Sequence, residues 1–295
     1  MTNADIKDPL HLQAVEAIDT GDISTLTKLL DSHPELVRIR LDIPEEGYFQ
    51  NPYLLWFVAD NPIRHPRLPA NIVDITRLLV QKVKSNAAGS MQQQLDYALG
   101  LVATGSVPRD CGVQIELMDL LIASGAAVGD DLGALAHGNR QAAEHLLKKG
   151  SKLKLPAAIG LDKKKDIKRL LKNSTREEMD IALVVAAFYG NAEAIRILLD
   201  EGADPNIFIP ASSGFHSHAT ALHQAIYSGS LEAVKLLMAA GARLDLKDKI
   251  FGGTPLGWAQ YMQTEIKDDD MKSNYEEIEQ YILKSSGNNA GPAAH

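Results

Sequence analysis

Three histidines within eight positions are the residues of this sequence whose type and spacing most readily suggest chemistry. They are His216, His218 and His223, in the segment GFHSHATALHQAIYSGS. Imidazole binds metals and exchanges protons near neutral pH, so the cluster suggests a metal site or a general base. Zinc, however, needs three or four protein ligands, and the one cysteine, Cys111, lies far away in the sequence. We therefore expect no metal and no cofactor.

Paired leucines recur along the chain and indicate the elements that must position these histidines. A glycine followed by a small residue comes after several of the pairs, as in Gly202-Ala203. This pattern is typical of a short amphipathic helix that ends in a left-handed glycine, repeated many times. One such unit has too little core to be stable alone, so neighbouring units must stack. The pairs are Leu29-Leu30, Leu78-Leu79, Leu120-Leu121, Leu146-Leu147, Leu170-Leu171, Leu198-Leu199, Leu236-Leu237 and Ile282-Leu283.

The clearest unit, ATALHQAIYSGSLEAVKLLMAAGARLDLKD at residues 219–248, resembles the ankyrin repeat. Ala221 and Arg243 depart from the family pattern, which usually has proline and aspartate at these positions. Further copies cover residues 181–206 and begin at GGTPLGWAQYM and at PLHLQAVEAIDTGD. The residues that match the family pattern T-P-L-H-x-A-A-x-x-G-x-x-E-x-V-x-L-L-L-x-x-G-A-D are Thr220, Leu222, His223, Ala225, Gly229, Glu232, Val234, Leu236, Leu237, Gly241 and Ala242.

The resemblance implies an all-α fold, an ankyrin-repeat solenoid of about eight helix-turn-helix units with short β-hairpin fingers. Two central repeats are irregular, because their leucine pairs are closely spaced. We expect a single solenoid over residues 1–286 and a disordered C-terminal tail over residues 287–295. In this family the histidine of T-x-L-H ties the turn that begins the helix, which implies a structural role for His223. His216 and His218 then belong to an extended finger, residues 207–219.

Members of this family usually bind partners on a concave surface made by the finger tips and the exposed end of each first helix. The resemblance therefore implies a groove in which aromatic side chains of successive repeats form a ladder of interface anchors. Packing between the repeats is the alternative role for these aromatic side chains. The residues expected to bind a protein or peptide partner are Phe188, Tyr189, His216, His218, Tyr227, Ser228, Phe251 and Tyr261.

A second aromatic cluster, GYFQNPYLLWFVADNPIRHP, runs into a proline-rich loop, and loops of this length often carry function. Two interpretations stay open: its side chains pack in the core, or some of them line a pocket. The alternative to a protein-interaction module is accordingly a small-molecule or metal-binding site in the groove near the finger 207–219. Such a site could be with or without catalytic activity. The candidate pocket residues are Tyr48, Trp56, Arg64, His137 and Trp258.

Charge, composition and missing motifs narrow the function further. A basic block at residues 148–176, with eleven Lys or Arg against two Asp, lies between two acidic arms. It contains no aromatic residues, so we interpret it as a solvated helix face and expect no nucleic acid partner. With one cysteine and no run of 18 apolar residues, we expect a cytoplasmic monomer without a membrane partner. No nucleophile elbow, phosphate-binding loop or H-E-x-x-H is present, which favours a non-enzymatic module over an enzyme.

Overall fold

The fold is all-α, as the sequence predicts. The structure, a computed structural model, describes residues 3–43 and 47–288. Contacts between residues divide the chain into two compact units, Met1–Lys152 and Leu153–His295. No strand occurs within the described residues, which have turns and loops between the helices, so the expected β-hairpin fingers are not confirmed. None of the described helices is long and apolar enough to span a bilayer.

The unit Met1–Lys152 consists of helices that pack in pairs. Its α-helices are α1 Pro9–Thr20, α2 Ile23–Ser32, α3 Ile72–Asn86, α4 Met91–Thr104, α5 Ser106–Asp110, α6 Gln114–Ala123, α7 Leu132–Ala136 and α8 Arg140–Lys148. Helix α1 packs on α2, α4 on α6, and α7 on α8. A 3₁₀ helix, Leu54–Ala59, packs on α3 in place of a first α-helix, and all six of its residues are buried. The first helices of successive pairs contact one another, and so do the second helices. The helices of this unit therefore form two stacked rows.

Local capping chemistry determines where these helices begin and end. Asp8 caps α1, because its Oδ1 accepts the backbone N–H of His11 at 2.9 Å. Pro9 occupies the first turn, where a missing N–H costs nothing. The helix ends at Gly21, whose φ of 78° is the left-handed conformation that favours glycine. The P-L-H to glycine spacing of the sequence therefore corresponds to one complete first helix.

The unit Leu153–His295 repeats this arrangement more regularly. Its α-helices are α9 Leu155–Gly160, α10 Lys164–Leu171, α11 Arg176–Phe188, α12 Ala192–Asp200, α13 Ala221–Tyr227, α14 Leu231–Ala239, α15 Pro255–Glu265 and α16 Asp269–Asn288. The first helices α9, α11, α13 and α15 contact one another in sequence order, and so do the second helices α12, α14 and α16. The row of first helices forms the candidate functional site.

The first helix α11 is packed on both sides by its neighbours. In α11 every residue from Ile181 to Ala187 is buried, and the helix contacts α9 as well as α13. The second helix α12 instead buries one stripe, formed by Ala194, Ile195 and Leu198. A stripe of this kind is the expected pattern for a helix with one solvent-facing side.

Two expectations about domain organisation stay predictions, and a third concerns residues at the end of the described chain. One solenoid over residues 1–286 and about eight repeats are such predictions. Of the expected disordered tail, residues 287 and 288 belong to α16, and residues 289–295 lie outside the described residues. In the basic block, α10 buries Ile167 alone and exposes Lys164 and Lys168. These lysines therefore lie on a solvated helix face, in agreement with the sequence-based interpretation.

Candidate functional site

A pocket of about 540 Å³ lies in the unit Leu153–His295, and we call it the aromatic pocket. Helices α11, α13 and α15 line it together with the loops that precede α13 and α15. Its volume is within the range of about 300–1,000 Å³ that is usual for ligand sites. No Lys, Arg, Asp or Glu is among its lining residues. They are Phe188, His216, His218, Gln224, Tyr227, Phe251, Gly253, Gly257, Trp258, Tyr261 and Met262.

A continuous series of ring contacts runs along the aromatic pocket. Phe188 stacks on Tyr227 with ring centroids 5.4 Å apart and planes inclined by 13°. Phe188 also contacts His216, whose centroid lies 4.8 Å away. The series continues from His216 to His218 at 5.8 Å and from His218 to Trp258 at 6.2 Å. Since aromatic pairs attract each other at these separations, the contacts hold the wall of the pocket in place.

One carboxylate organises the loop that brings Phe251 to the pocket. Oδ1 of Asp248 accepts the backbone N–H groups of Ile250 and Phe251 at 2.9 and 2.6 Å. Oδ2 accepts the backbone N–H of Gly253 at 2.8 Å and the indole N–H of Trp258 at 3.0 Å. Burial opposes ionisation of this carboxyl group, but the four hydrogen bonds outweigh it and lower the pKa of Asp248 to about 2. The loop is thus fixed to α15, while the Phe251 side chain stays 79% exposed.

His223 joins α13 to the same loop. It is fully buried, and its Nε2 lies 3.1 Å from the carbonyl oxygen of Gly253. A carbonyl oxygen only accepts, so Nε2 carries the proton and Nδ1 accepts from the Thr220 hydroxyl at 2.8 Å. Burial lowers the pKa of His223, which keeps the ring neutral. These contacts give His223 the structural role that the resemblance implies.

Two polar side chains of the aromatic pocket have no hydrogen-bond partner within the described residues. Gln224 is only 2% exposed and lines the pocket from α13, yet no described group bonds its carboxamide. His218 is half-buried, and burial lowers the pKa of its imidazole although the charge of Asp248 partly opposes this effect. The carboxamide carries no charge, and the lowered pKa keeps the His218 imidazole neutral at pH 7. Each side chain therefore offers one donor group and one acceptor to a ligand.

Six of the eight residues predicted to bind a partner line this one pocket. They are Phe188, His216, His218, Tyr227, Phe251 and Tyr261. The other two, Tyr189 and Ser228, are not among the lining residues. Tyr189 packs edge-on against Phe188 with centroids 5.0 Å apart. The hydroxyl of Ser228 donates to the carbonyl oxygen of Ala225 at 2.7 Å and so closes the end of α13.

The structure places the candidate pocket residues in different parts of the two units. Tyr48 and His137 line a pocket of about 750 Å³ in the unit Met1–Lys152. Burial lowers the pKa of His137 and raises that of Tyr48, so both groups are neutral at pH 7. Trp258 lines the aromatic pocket of the other unit. Trp56 and Arg64 line neither of the two pockets.

Trp56 and Arg64 are core residues for different physical reasons. Trp56 is buried, and the centroids of its ring and the Tyr97 ring lie 4.2 Å apart. Of the two interpretations that the sequence left open, Trp56 therefore fits packing in the core. Arg64 has a side chain only 3% exposed, and its Nη2 lies 2.7 Å from Asp19 and 3.3 Å from Asp60. The two carboxylates neutralise the buried guanidinium, and this ion-pair network ties the proline-rich loop to α1.

Sequence reasoning missed several lining residues of the aromatic pocket, for two different reasons. Gln224 precedes Tyr227 by three positions, so helical periodicity places both on one face and is a signal that could have identified it. No sequence pattern marks Gly253 as a pocket residue, because its role depends on its tertiary contact with Trp258 and Asp248. A Cβ atom there would lie 3.0 Å from Cδ1 of Trp258 and 3.1 Å from Oδ2 of Asp248. Only glycine fits this approach without movement of its neighbours.

His216 and His218 are parts of the pocket wall, and neither belongs to a cluster of metal ligands. Their ring centroids lie 5.8 Å apart. Within residues 3–43 and 47–288, no group of three or more His, Cys, Asp or Glu side chains is arranged to hold a metal ion. The alternative function therefore gains no support from these two histidines.

Comparison with known proteins gives one family match. Residues 112–248 match the family model of ankyrin repeats, which comprises three copies of the repeat. The match ends before α15, so Trp258 and Tyr261 lie outside it. No curated protein matches the chain. Among solved structures, the crystal structure of the human ASB11 ankyrin repeat domain is 16% identical, covering 98% of this chain and 100% of that one, with a TM-score of 0.34.

Proposed function

We propose that this chain, of which residues 112–248 match the ankyrin-repeat model, is a non-enzymatic interaction module whose aromatic pocket binds a peptide segment of a protein partner. Ankyrin repeats generally act as protein-protein interaction modules. The proposal adds the surface, namely the ends of the first helices α11, α13 and α15 with the loops before α13 and α15. It also assigns partner contacts to the six predicted residues that line this pocket.

One observation carries the proposal: large aromatic side chains are exposed around an apolar pocket. Tyr227, Phe251 and Tyr261 are 46%, 79% and 61% exposed, and all three line the aromatic pocket. Ile250, on the same loop as Phe251, is exposed as well. Exposed apolar patches of this kind mark interaction sites, and tyrosine is enriched among the side chains that contribute most to binding.

The rigidity of the surrounding loops supports the same function. Asp248 fixes the loop that carries Phe251, and His223 fixes the beginning of α13 to that loop. Because these groups are already ordered, a partner loses less conformational freedom of the site when it binds. A preformed surface of this type is typical of recognition, and no nucleophile and base are paired in it to suggest catalysis.

Selection from a random peptide display library on the full chain tests the proposal. We expect enriched peptides that bind the parent chain and bind Tyr227→Ala/Tyr261→Ala at least about tenfold more weakly. Both tyrosines are substantially exposed, so thermal unfolding should change little. The matched control is Ile39→Ala/Ile63→Ala, which removes two exposed apolar side chains from the unit Met1–Lys152.

Three outcomes would contradict the proposal. The first is a selection that enriches no peptide. The second is a set of peptides that bind the tyrosine variant and the parent chain equally well. The third is a loss of several kcal/mol of stability in the tyrosine variant, which would show that these side chains are core residues.

A further inference from the structure

Gln224 is a nearly buried residue whose carboxamide reaches the aromatic pocket and is not used by the described part of the fold. It lies on α13, is 2% exposed and lines the aromatic pocket. Buried polar groups are normally hydrogen-bonded, because an unpaired one destabilises the folded state. The adjacent His223 illustrates the usual situation, since both of its ring nitrogens have partners. No described group bonds the Gln224 carboxamide, so its hydrogen-bonding capacity is directed at whatever enters the pocket.

The chemistry of a carboxamide determines which ligand satisfies it. It presents an accepting oxygen and a donating NH₂ side by side. A second amide, which has both an N–H and a C=O, matches both at once. In an extended peptide the N–H and C=O of one residue point the same way, as they do when paired strands exchange two hydrogen bonds. A carboxylate, a phosphate or a metal ion would satisfy only one half of the carboxamide.

The surroundings of Gln224 disfavour a charged ligand. No Lys, Arg, Asp or Glu is among the described lining residues, so an ionised group would lose its hydration without a charged side chain of the wall to pair with it. The rings of Phe188, Tyr227, Trp258 and Tyr261 provide apolar walls instead. Such walls suit one aromatic or large aliphatic side chain. The pocket therefore combines one polar element, which fits an amide, with apolar walls.

We propose that the aromatic pocket takes an uncharged, extended peptide segment in which Gln224 pairs with the main chain. The carboxamide of Gln224 bonds the N–H and the C=O of one peptide residue, and a neighbouring aromatic or large aliphatic side chain packs among the rings. The inference rests on the proposed function and specifies how the same pocket recognises its partner. Main-chain pairing is independent of peptide sequence, so the apolar side chain alone sets the sequence preference.

The test uses defined probes and the full chain. The probes are the tripeptides N-acetyl-Ala-X-Ala amide with Phe or Leu at X, and ester analogues in which one amide N–H at a time is replaced by oxygen. The chain is labelled with 5-fluorotryptophan, so that Trp258 in the pocket and Trp56 in the other unit each give one fluorine signal. Titrations then measure the dissociation constant of each probe for the parent chain and for Gln224→Leu.

We expect the tripeptides to move the Trp258 signal and to leave the Trp56 signal in place. One ester analogue should bind the parent chain about five- to tenfold more weakly than its amide, which is the usual effect of one neutral hydrogen bond. In Gln224→Leu this ratio should fall to about one. Gln224→Leu breaks no hydrogen bond of the fold, and Gln224→Glu provides a second variant that replaces the NH₂ donor by an acceptor and should also weaken tripeptide binding.

The inference and the proposed function fail in different ways. If every ester ratio is the same in the parent chain and in Gln224→Leu, the inference is overturned. Tripeptides that still move the Trp258 signal in that case leave peptide binding at the pocket intact. If no tripeptide moves the Trp258 signal at all, peptide binding at this pocket is overturned and the inference falls with it.

Discussion

Replacement of Asp248 by asparagine tests how the aromatic pocket is held in shape. Each carboxylate oxygen of Asp248 accepts two N–H groups, at distances from 2.6 to 3.0 Å. In Asp248→Asn one of these oxygens becomes an NH₂ group, which faces two N–H donors and can accept from neither. The change therefore breaks two hydrogen bonds and removes the charge that strengthens the other two.

The pKa of Asp248 sets the size of the expected effect. A folded-state pKa of about 2 against an ordinary value of 3.8 corresponds to about 2 kcal/mol of stability, since one pKa unit equals about 1.4 kcal/mol. Because the folded-state pKa is the lower one, this stability is fully present above pH 4 and is lost as the pH falls toward 2. At pH 3 about 1 kcal/mol of it should be gone. We thus expect Asp248→Asn to lower the free energy of unfolding by about 2 kcal/mol at pH 7. At pH 3 the decrease should be about 1 kcal/mol smaller.

Urea unfolding at the two pH values measures both quantities. The chain has two tryptophans, so in a Trp56→Phe background the emission of Trp258 reports the unit that contains the pocket. Asp245→Asn is the matched control, because Asp245 is exposed and pairs with the exposed Arg243 at 2.6 Å. The reasoning is refuted if Asp248→Asn is as stable as its parent, or if the difference between them is the same at pH 7 and pH 3.

Three further substitutions test other contacts by thermal or urea unfolding. Arg64→Met removes the guanidinium that pairs with two buried carboxylates, which keep the partly exposed His65 beside them, and should cost about 3–5 kcal/mol, whereas exposed Arg67→Met should cost almost nothing. His223→Ala removes the bonds to Thr220 and Gly253 and should cost about 2–4 kcal/mol; an unchanged melting temperature would refute its structural role. Gly253→Ala inserts a methyl group 3.0 Å from Trp258 and should shift the fluorescence of that indole and lower the melting temperature by several degrees.

The all-α class and the ankyrin-repeat match over residues 112–248 were predictable because they depend on local chemistry that repeats. The T-x-L-H opening, the leucine pairs and the glycines at helix ends each act within one helix pair. Thr220 and His223 bond each other across three positions, and Gly190 takes a φ of 62° directly after α11. Six pocket residues were also predictable, since the repeat register alone places Phe188 and Tyr227 at equivalent positions of successive first helices.

The candidate pocket residues of the sequence were grouped by residue type alone. Tyr48, Trp56, Arg64 and His137 are aromatic or cationic, as ligand-binding residues often are, but burial decides which of them are available. Arg64 is taken up by Asp19, which precedes it by 45 positions. A single sequence contains no sign of a pairing over that distance, so the role of Arg64 could not be predicted from it.

The sequence by itself determined the helix pairs and the glycines that end them, since each arises from residues a few positions apart. Only the tertiary structure decided that side chains from Phe188 to Met262 converge on one pocket. The reason is that this convergence depends on contacts between repeats. Asp248 bonds Trp258 and so holds its loop against α15, and Gln224 is buried because α13 packs against α11 and α15.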